Sequence, residues 1–180
     1  MKRKFVEYVG IPVLAVAIAA GAALASGSGY EPQSAYGPAV NVLEAEAAAR
    51  HASAVFDRAD LNADGELDAR EYEALSIVTA ELARLNGFVS VDFDGVAAPV
   101  ALPITAPKAM TSAERIRVEA IASREFHLVA DGDDAITHDE YVSAQLELFA
   151  AADQNRNGVL SARELQSYAA WQAHLTPRNA

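Results

Sequence analysis

The chain has 180 residues, 52% of them hydrophobic, and a formal net charge of -11 at pH 7. That length suits one domain with a short appendage, and an acidic chain without a basic stripe excludes nucleic acid, because nothing displaces counterions from phosphates. No cysteine occurs, which excludes disulfides, thiolate zinc sites and cysteine nucleophiles.

Residues 1–25 have the layout of a secretory signal. Lys2, Arg3 and Lys4 make a positive start, Val9 to Ala25 is apolar, and Ala23-Leu24-Ala25 has the small-x-small form of a cleavage site. Cleavage implies a periplasmic or secreted protein. Its mature charge is then -13, because Lys2, Arg3, Lys4 and Glu7 leave together. Left uncleaved, residues 9–25 would instead anchor the protein in the inner membrane, and only then is a membrane involved. The apolar run of about 17 residues sits at the lower edge of what spans a bilayer. Residues 26–38, rich in Gly, Ser and Pro, read as a flexible linker. Residues 39–180 form the folded domain.

Helical spacing predicts a first helix from Ala39 to Ala59, with Leu43, Ala47, Ala54 and Val55 on one face. The next twelve residues, Asp60 to Glu71, read D-L-N-A-D-G-E-L-D-A-R-E. Oxygen-bearing side chains alternate through this stretch, and a glycine stands where a sharp turn needs a positive φ. A second helix follows from Ala69 to Leu85, with Tyr72, Leu75, Val78, Leu82 and Leu85 on one stripe, and Asn86-Gly87 stops it.

Residues 88–108 hold Pro99, Pro103 and Pro107 and break the helical pattern. The alternation Val89, Val91, Phe93 predicts one short strand within an irregular insert. Asp92-Phe93-Asp94-Gly95 looks like a fragment of a metal loop, but no Glu stands at the required distance, so it reads as a turn. The insert is also the natural place for contact with a protein partner, although the sequence names none.

A third helix starts at Thr111, which forms a capping box with Glu114, and offers Ile116, Ala120, Ile121 and Leu128 to a core. Residues 129–140 read V-A-D-G-D-D-A-I-T-H-D-E. A fourth helix spans His138 to Ala152 with Val142, Leu146 and Phe149. Residues 153–164 read D-Q-N-R-N-G-V-L-S-A-R-E, and a fifth helix, Ala162 to Leu175, carries Leu165, Tyr168 and Trp171.

Residues 60–71 and 153–164 match the pattern D-x-[DN]-x-[DN]-G-x5-E at every position. The chain therefore resembles the EF-hand family of calcium-binding proteins. The resemblance implies an all-α helix-loop-helix bundle of about five helices that binds Ca2+, a hard cation wanting about six to eight oxygens. In the first loop it assigns side-chain oxygens to Asp60, Asn62 and Asp64 and a backbone carbonyl to Glu66. Asp68 would bind directly or through water, and Glu71 bidentately. In the last loop the corresponding residues are Asp153, Asn155, Asn157, Val159 by its carbonyl, Ser161 and Glu164. The first loop has four carboxylates among these positions and the last only two, so weaker binding is expected at the last. Loop 129–140 resembles a damaged hand. Asp131, Asp133, Thr137 and Glu140 fall on ligand positions, but Val129 replaces the first aspartate and Asp134 the glycine. Such a loop can retain the structural role of pairing. Hands usually work in pairs, so either the first loop pairs with a later one or two chains associate.

Only twelve residues, Tyr141 to Ala152, separate the last two loops, so one helix must leave the damaged loop and enter the last. That spacing, with the secretory signal, resembles lanmodulin, a periplasmic lanthanide-binding EF-hand family. The second loop position holds Leu61, Ala130 and Gln154 rather than that family's proline, and the last loop is poor in acids. Calcium is therefore the expected ion.

His51, His127, His138 and His174 are scattered, without the spacing of a catalytic zinc site. No nucleophile elbow, phosphate-binding loop or dinucleotide fingerprint occurs. The expectation is a binder rather than an enzyme: a sensor, a buffer, a calcium-stabilised structural module, or a regulatory partner in an envelope complex. Apart from Met1, Met110 is the sole methionine, unlike the methionine-rich grooves of sensors that capture target helices.

Overall fold

The computed structural model describes residues 40–93, 96–102 and 108–176. The signal, the linker and the Asp94-Gly95 turn lie outside the described residues. The elements run β1 (Val42–Glu44), α1 (Ala45–Ala59), β2 (Glu66–Asp68), α2 (Ala69–Asn86), β3 (Phe88–Phe93), β4 (Val96–Ala101), α3 (Ser112–Val129), β5 (Ala135–Thr137), α4 (His138–Ala152), β6 (Val159–Ser161) and α5 (Ala162–Gln172). The expected class, an all-α bundle of five helices with only short strands, is what the described residues form. Among the described residues no helix is long and apolar enough to cross a membrane.

Local chemistry explains most boundaries. Asp68 caps α2 by accepting from the Arg70 and Glu71 amides, and Glu71 reaches back to the Asp68 N–H, completing a capping box. Thr111 with Glu114 and Thr137 with Glu140 do the same for α3 and α4. At the other end of α2, Gly87 takes the left-handed conformation at φ 76°, as a helix stop requires.

Two corrections concern the helices. The first helix begins at Ala45 rather than Ala39, and Leu43 lies in β1, where it is fully buried. The stripe expected on α2 is rotated: Val78, Leu82 and Leu85 are exposed, while Tyr72, Ser76, Ala80 and Ala83 are buried. α3 packs against α2, and Ala122 and Phe126 of α3 face inward rather than Ile116 and Leu128. The ion pairs Arg84–Glu114 at 3.2 Å and Arg115–Glu81 at 2.8 Å bridge the two helices.

The insert is more ordered than one strand. β3 and β4 form an antiparallel hairpin, with Val89 opposite Val100. Val89, Val91, Val100 and Leu102 enter the core. The Val40 amide donates to the Pro99 carbonyl at 2.9 Å, fastening the chain just before β1 onto the hairpin.

The loop pairing that sequence left open is settled within the chain. β2 pairs antiparallel with β5, Leu67 opposite Ile136. β1 pairs antiparallel with β6, Leu43 opposite Leu160. All four of these residues are fully buried. One core cluster gathers Leu67, Ile136, Phe56, Tyr72, Phe126 and Tyr141 under the first ladder. The other gathers Leu43, Leu160, Phe149, Leu165 and Tyr168 with the hairpin under the second.

This arrangement contains a repeat. Adding 93 to each residue number carries β1 onto β5, α1 onto α4, β2 onto β6 and the start of α2 onto the start of α5. Phe56 falls on Phe149, Leu43 on Ile136 and Asp60 on Asp153. The first strand of each repeat pairs with the second strand of the other. β1 with α1 is therefore the trailing half of a fourth hand, and Ala47 stands where Glu140 stands in the third.

Candidate metal centre

Each complete loop grows out of a helix end. The Asp60 amide donates to the Phe56 carbonyl and the Asp153 amide to the Phe149 carbonyl, both at 3.0 Å, so the first ligand residue closes the preceding helix. Ala63 and Gly65 then take left-handed conformations at φ 58° and 86°, and Arg156 and Gly158 do so at 59° and 77°. These turns make the loop amides point inward.

The polar side chains answer those amides in the same order in both loops. Asp60 Oδ2 accepts from the Gly65 amide at 2.9 Å, and Asp153 Oδ2 from the Gly158 amide at 2.8 Å. Asn62 Oδ1 accepts from the Asp64 amide, and Asn155 Oδ1 from the Asn157 amide. Asp64 Oδ1 accepts from Glu66 N–H at 3.0 Å, and Asn157 Oδ1 from Val159 N–H at 2.9 Å. At the far end, Glu71 spans the loop. One oxygen accepts from the Leu61 amide at 2.9 Å and the other from the Asp68 amide at 3.1 Å. Glu164 likewise accepts from the Asn155 amide at 3.4 Å and the Ser161 amide at 3.5 Å.

Differences between the two are local. Asn62 Nδ2 donates to Asp64 Oδ2 at 2.8 Å, whereas Asn155 Nδ2 donates to Glu164 Oε1 at 3.0 Å. The last loop thus engages an oxygen of its bidentate residue with a side-chain amide. Ala162, just after Ser161, sits at φ 42°, a strained position for a residue with a Cβ.

Loop 129–140 departs at its beginning. α3 runs through Val129, so the first loop position is still helical. The left-handed conformations fall on Asp131 and Gly132, at φ 46° and 97°, the third and fourth loop positions instead of the fourth and sixth. Asp131 and Asp133 are exposed on this altered turn. Thr137 and Glu140 are engaged with each other: Glu140 Oε2 accepts from the Thr137 amide at 2.8 Å and hydroxyl at 2.7 Å. Those two bonds, the amide first, hold the Glu140 carboxyl below the usual carboxylate range.

Among the described residues, no group of three acidic or histidine side chains stands together as a metal cluster. The oxygens are instead strung along each loop and held by backbone amides. A carboxylate offers about four lone-pair directions, so Asp60, Asp64 and Glu71 retain acceptor capacity toward an ion after meeting their amides. With Asn62, Asp68 and the Glu66 carbonyl they make an all-oxygen donor set, which fits a hard cation. Asp153, Asn155, Asn157, Ser161, Glu164 and the Val159 carbonyl make a second, less charged set.

The EF-hand family model, described as EF hand, matches residues 53–76 and 146–167, the two complete loops with their flanking helices. The chain thus carries two EF hands. No curated protein and no solved structure matches the chain. The family implies calcium binding and is typically non-catalytic. The structure adds a half-hand that sequence reading placed inside the first helix. A signal for it existed, since Leu43 precedes Asp60 by the same 17 residues by which Ile136 precedes Asp153.

Proposed function

We propose that this EF-hand protein binds two calcium ions, one at Asp60–Glu71 and one at Asp153–Glu164, and serves in the cell envelope as a calcium-stabilised module. The observation that carries the reading is the matched order of amide-to-oxygen bonds in the two loops. That order places oxygens from positions one, three, five and twelve around each loop. The basic start and apolar run of residues 2–25 support an envelope location. Calcium is plentiful outside the cytoplasm, where modules bind it at about 10^-4 to 10^-3 M. An ion that binds only the folded chain stabilises it by mass action.

Calorimetric titration of the metal-free protein, with far-UV dichroism, tests this. The expected result is two calcium ions and a tighter, more helical fold. Absence of calcium heat would remove the assignment, and unchanged dichroism would remove the stabilising role.

A second reading, lanthanide binding, is favoured by one observation. The twelve-residue spacing between successive loops is set by α4, and α1 repeats it between the half-hand and the first loop. Parallel titration with lanthanum separates the ions. Binding many orders tighter than calcium would support the lanthanide reading, and comparable affinity would support calcium. A protein partner in an envelope complex would be seen as a larger species co-purifying with the chain.

A further inference from the structure

The chain holds 25 acidic residues against 14 basic ones, yet α3 turns no exposed carboxylate to solvent. Glu114 pairs with Arg84 at 3.2 Å, Glu125 lies 3.4 Å from His174, and Glu119 is half-buried. Arg117 and Arg124 are exposed and form no ion pair among the described residues. The Arg117 Nε–H donates instead to the Ala113 carbonyl of its own helix, at 3.3 Å. Ile116 and Leu128, 63% and 67% exposed, flank the arginines on the same face, with the small Ala120 between them. α4 presents the opposite surface. Its exposed residues are Asp139, Ser143, Glu147, Ala150 and Ala151, at helical spacing and with no cation among them. Asp139 meets the neighbouring His138 at 3.3 Å, and Glu147 forms no ion pair among the described residues.

From these two faces we infer that the chain associates with itself, α3 of one copy lying along α4 of a second. Arg117 and Arg124 stand seven residues apart, and Asp139 and Glu147 eight, about 10.5 and 12 Å along a helix. Each arginine can therefore meet one acid. Ile116 and Leu128 meet a surface of alanine and serine, so large side chains oppose small ones and the helices approach closely. A second copy fits better than an anionic membrane. A flat lipid layer at the arginines would also face the acids of neighbouring elements, whereas α4 brings two carboxylates to the arginines and little else. Elsewhere two acidic chains repel, but exposed charges farther apart than about 8 Å are largely screened at physiological salt. One helix against one helix buries less than the roughly 1,600 Å² of a standard interface, so the complex is transient and forms at high protein concentration. None of Arg117, Arg124, Asp139 and Glu147 is a ligand of either complete loop, so the inference does not rest on the calcium reading.

Sedimentation of the full chain in calcium, from about 10 μM to 1 mM, reads the association. The wild-type mass is expected to climb with concentration from that of one chain toward that of two or more. Arg117→Glu with Arg124→Glu, and separately Asp139→Lys with Glu147→Lys, set like charges against each other across the contact, and both variants should stay monomeric. All four substitutions together leave the net charge at -11 and reverse both faces at once, so association should return. A wild type that is monomeric throughout overturns the inference. So does either double variant that associates like the wild type, or a folded quadruple variant that stays monomeric. Should the lysines at α4 prevent folding, Ala120→Glu decides it. That substitution sets a carboxylate between the arginines at an exposed site and should weaken association about tenfold, and a change under about twofold overturns the contact. Binding of a monomeric wild type to phosphatidylglycerol vesicles would overturn it too, by giving the α3 face to a membrane.

Discussion

Loops 60–71 and 129–140 face each other across one ladder, yet only their second halves agree. Both place a buried aliphatic residue in the strand, Leu67 or Ile136, and both end in a capping box, Asp68 with Glu71 or Thr137 with Glu140. Their first halves differ. Asp60 closes α1 and gathers the loop amides, whereas Val129 prolongs α3 and the left-handed residues fall at the third and fourth positions instead of the fourth and sixth. The trailing half of a hand thus serves the fold, and the leading half serves the ion. The half-hand at β1 fits the same division, since it keeps Leu43 in a ladder and has Ala47 in place of the last ligand. Selection on folding alone can preserve the strand and cap of a hand after its metal function has gone.

The sharpest way to break this comparison is at the ladder itself. Truncating either fully buried partner, by Leu67→Ala or Ile136→Ala, should destabilise the protein by about 2–5 kcal/mol in urea melts. The damaged loop's residue should matter as much as the calcium loop's. A small effect of Ile136→Ala would show that loop 129–140 is dispensable. The next comparison sets the two terminal glutamates against each other. Glu71→Gln should weaken one calcium site roughly a hundredfold, about 2.7 kcal/mol. Glu140→Gln should leave two ions bound and cost little stability, because glutamine can fill the same place in the capping box. Calorimetric stoichiometry checks both, and an ion lost in Glu140→Gln would make loop 129–140 a binding loop.

The same division explains what was legible beforehand. Ligand positions and helix caps are local in sequence, so both complete loops, the Thr111 cap and the bounds of α4 could be read directly. Pairing and facing are not local. Leu43 fits a helical stripe as well as a strand, and only its contact with Leu160, more than a hundred residues later, decides between them. Val78, Leu82 and Leu85 make a plausible buried stripe, but they are exposed, and no periodicity of α2 alone reveals which of its faces the neighbouring elements cover. The hairpin was half visible, because β3 alternates whereas β4, with Pro99 and three alanines, does not.

Comparing the two complete loops gives a smaller effect. Asn155 Nδ2 holds Glu164 Oε1 at 3.0 Å, whereas Glu71 has no such side-chain donor from Asn62. Asn155→Asp removes that donor and adds a ligand charge. Calcium affinity at the last loop should rise about tenfold by calorimetry, because affinity follows the charge count of the ligands. An unchanged affinity would mean that the strain at Ala162, rather than the ligand charge, limits this site.

The smallest effect concerns the caps as helix starts, apart from any ion. Glu114 and Glu140 occupy the same box, and in each the threonine amide and then its hydroxyl lower the carboxyl pKa. Glu114 also faces Arg84 and Lys108, and its pKa falls from 4.5 to about 2. No cation adds to the lowering at Glu140, so its drop should be the shallower. A carboxylate with a depressed folded pKa stabilises the fold above its unfolded value and loses that contribution as pH falls through the folded one. In a chelator, the stability gap between wild type and Glu114→Gln should therefore be full above pH 4.5 and close as pH falls toward 2. Carboxyl NMR titration should show Glu114 protonating last and Glu140 before it. The reverse order would mean that Arg84 and Lys108 do not hold Glu114, and that the capping box alone sets both.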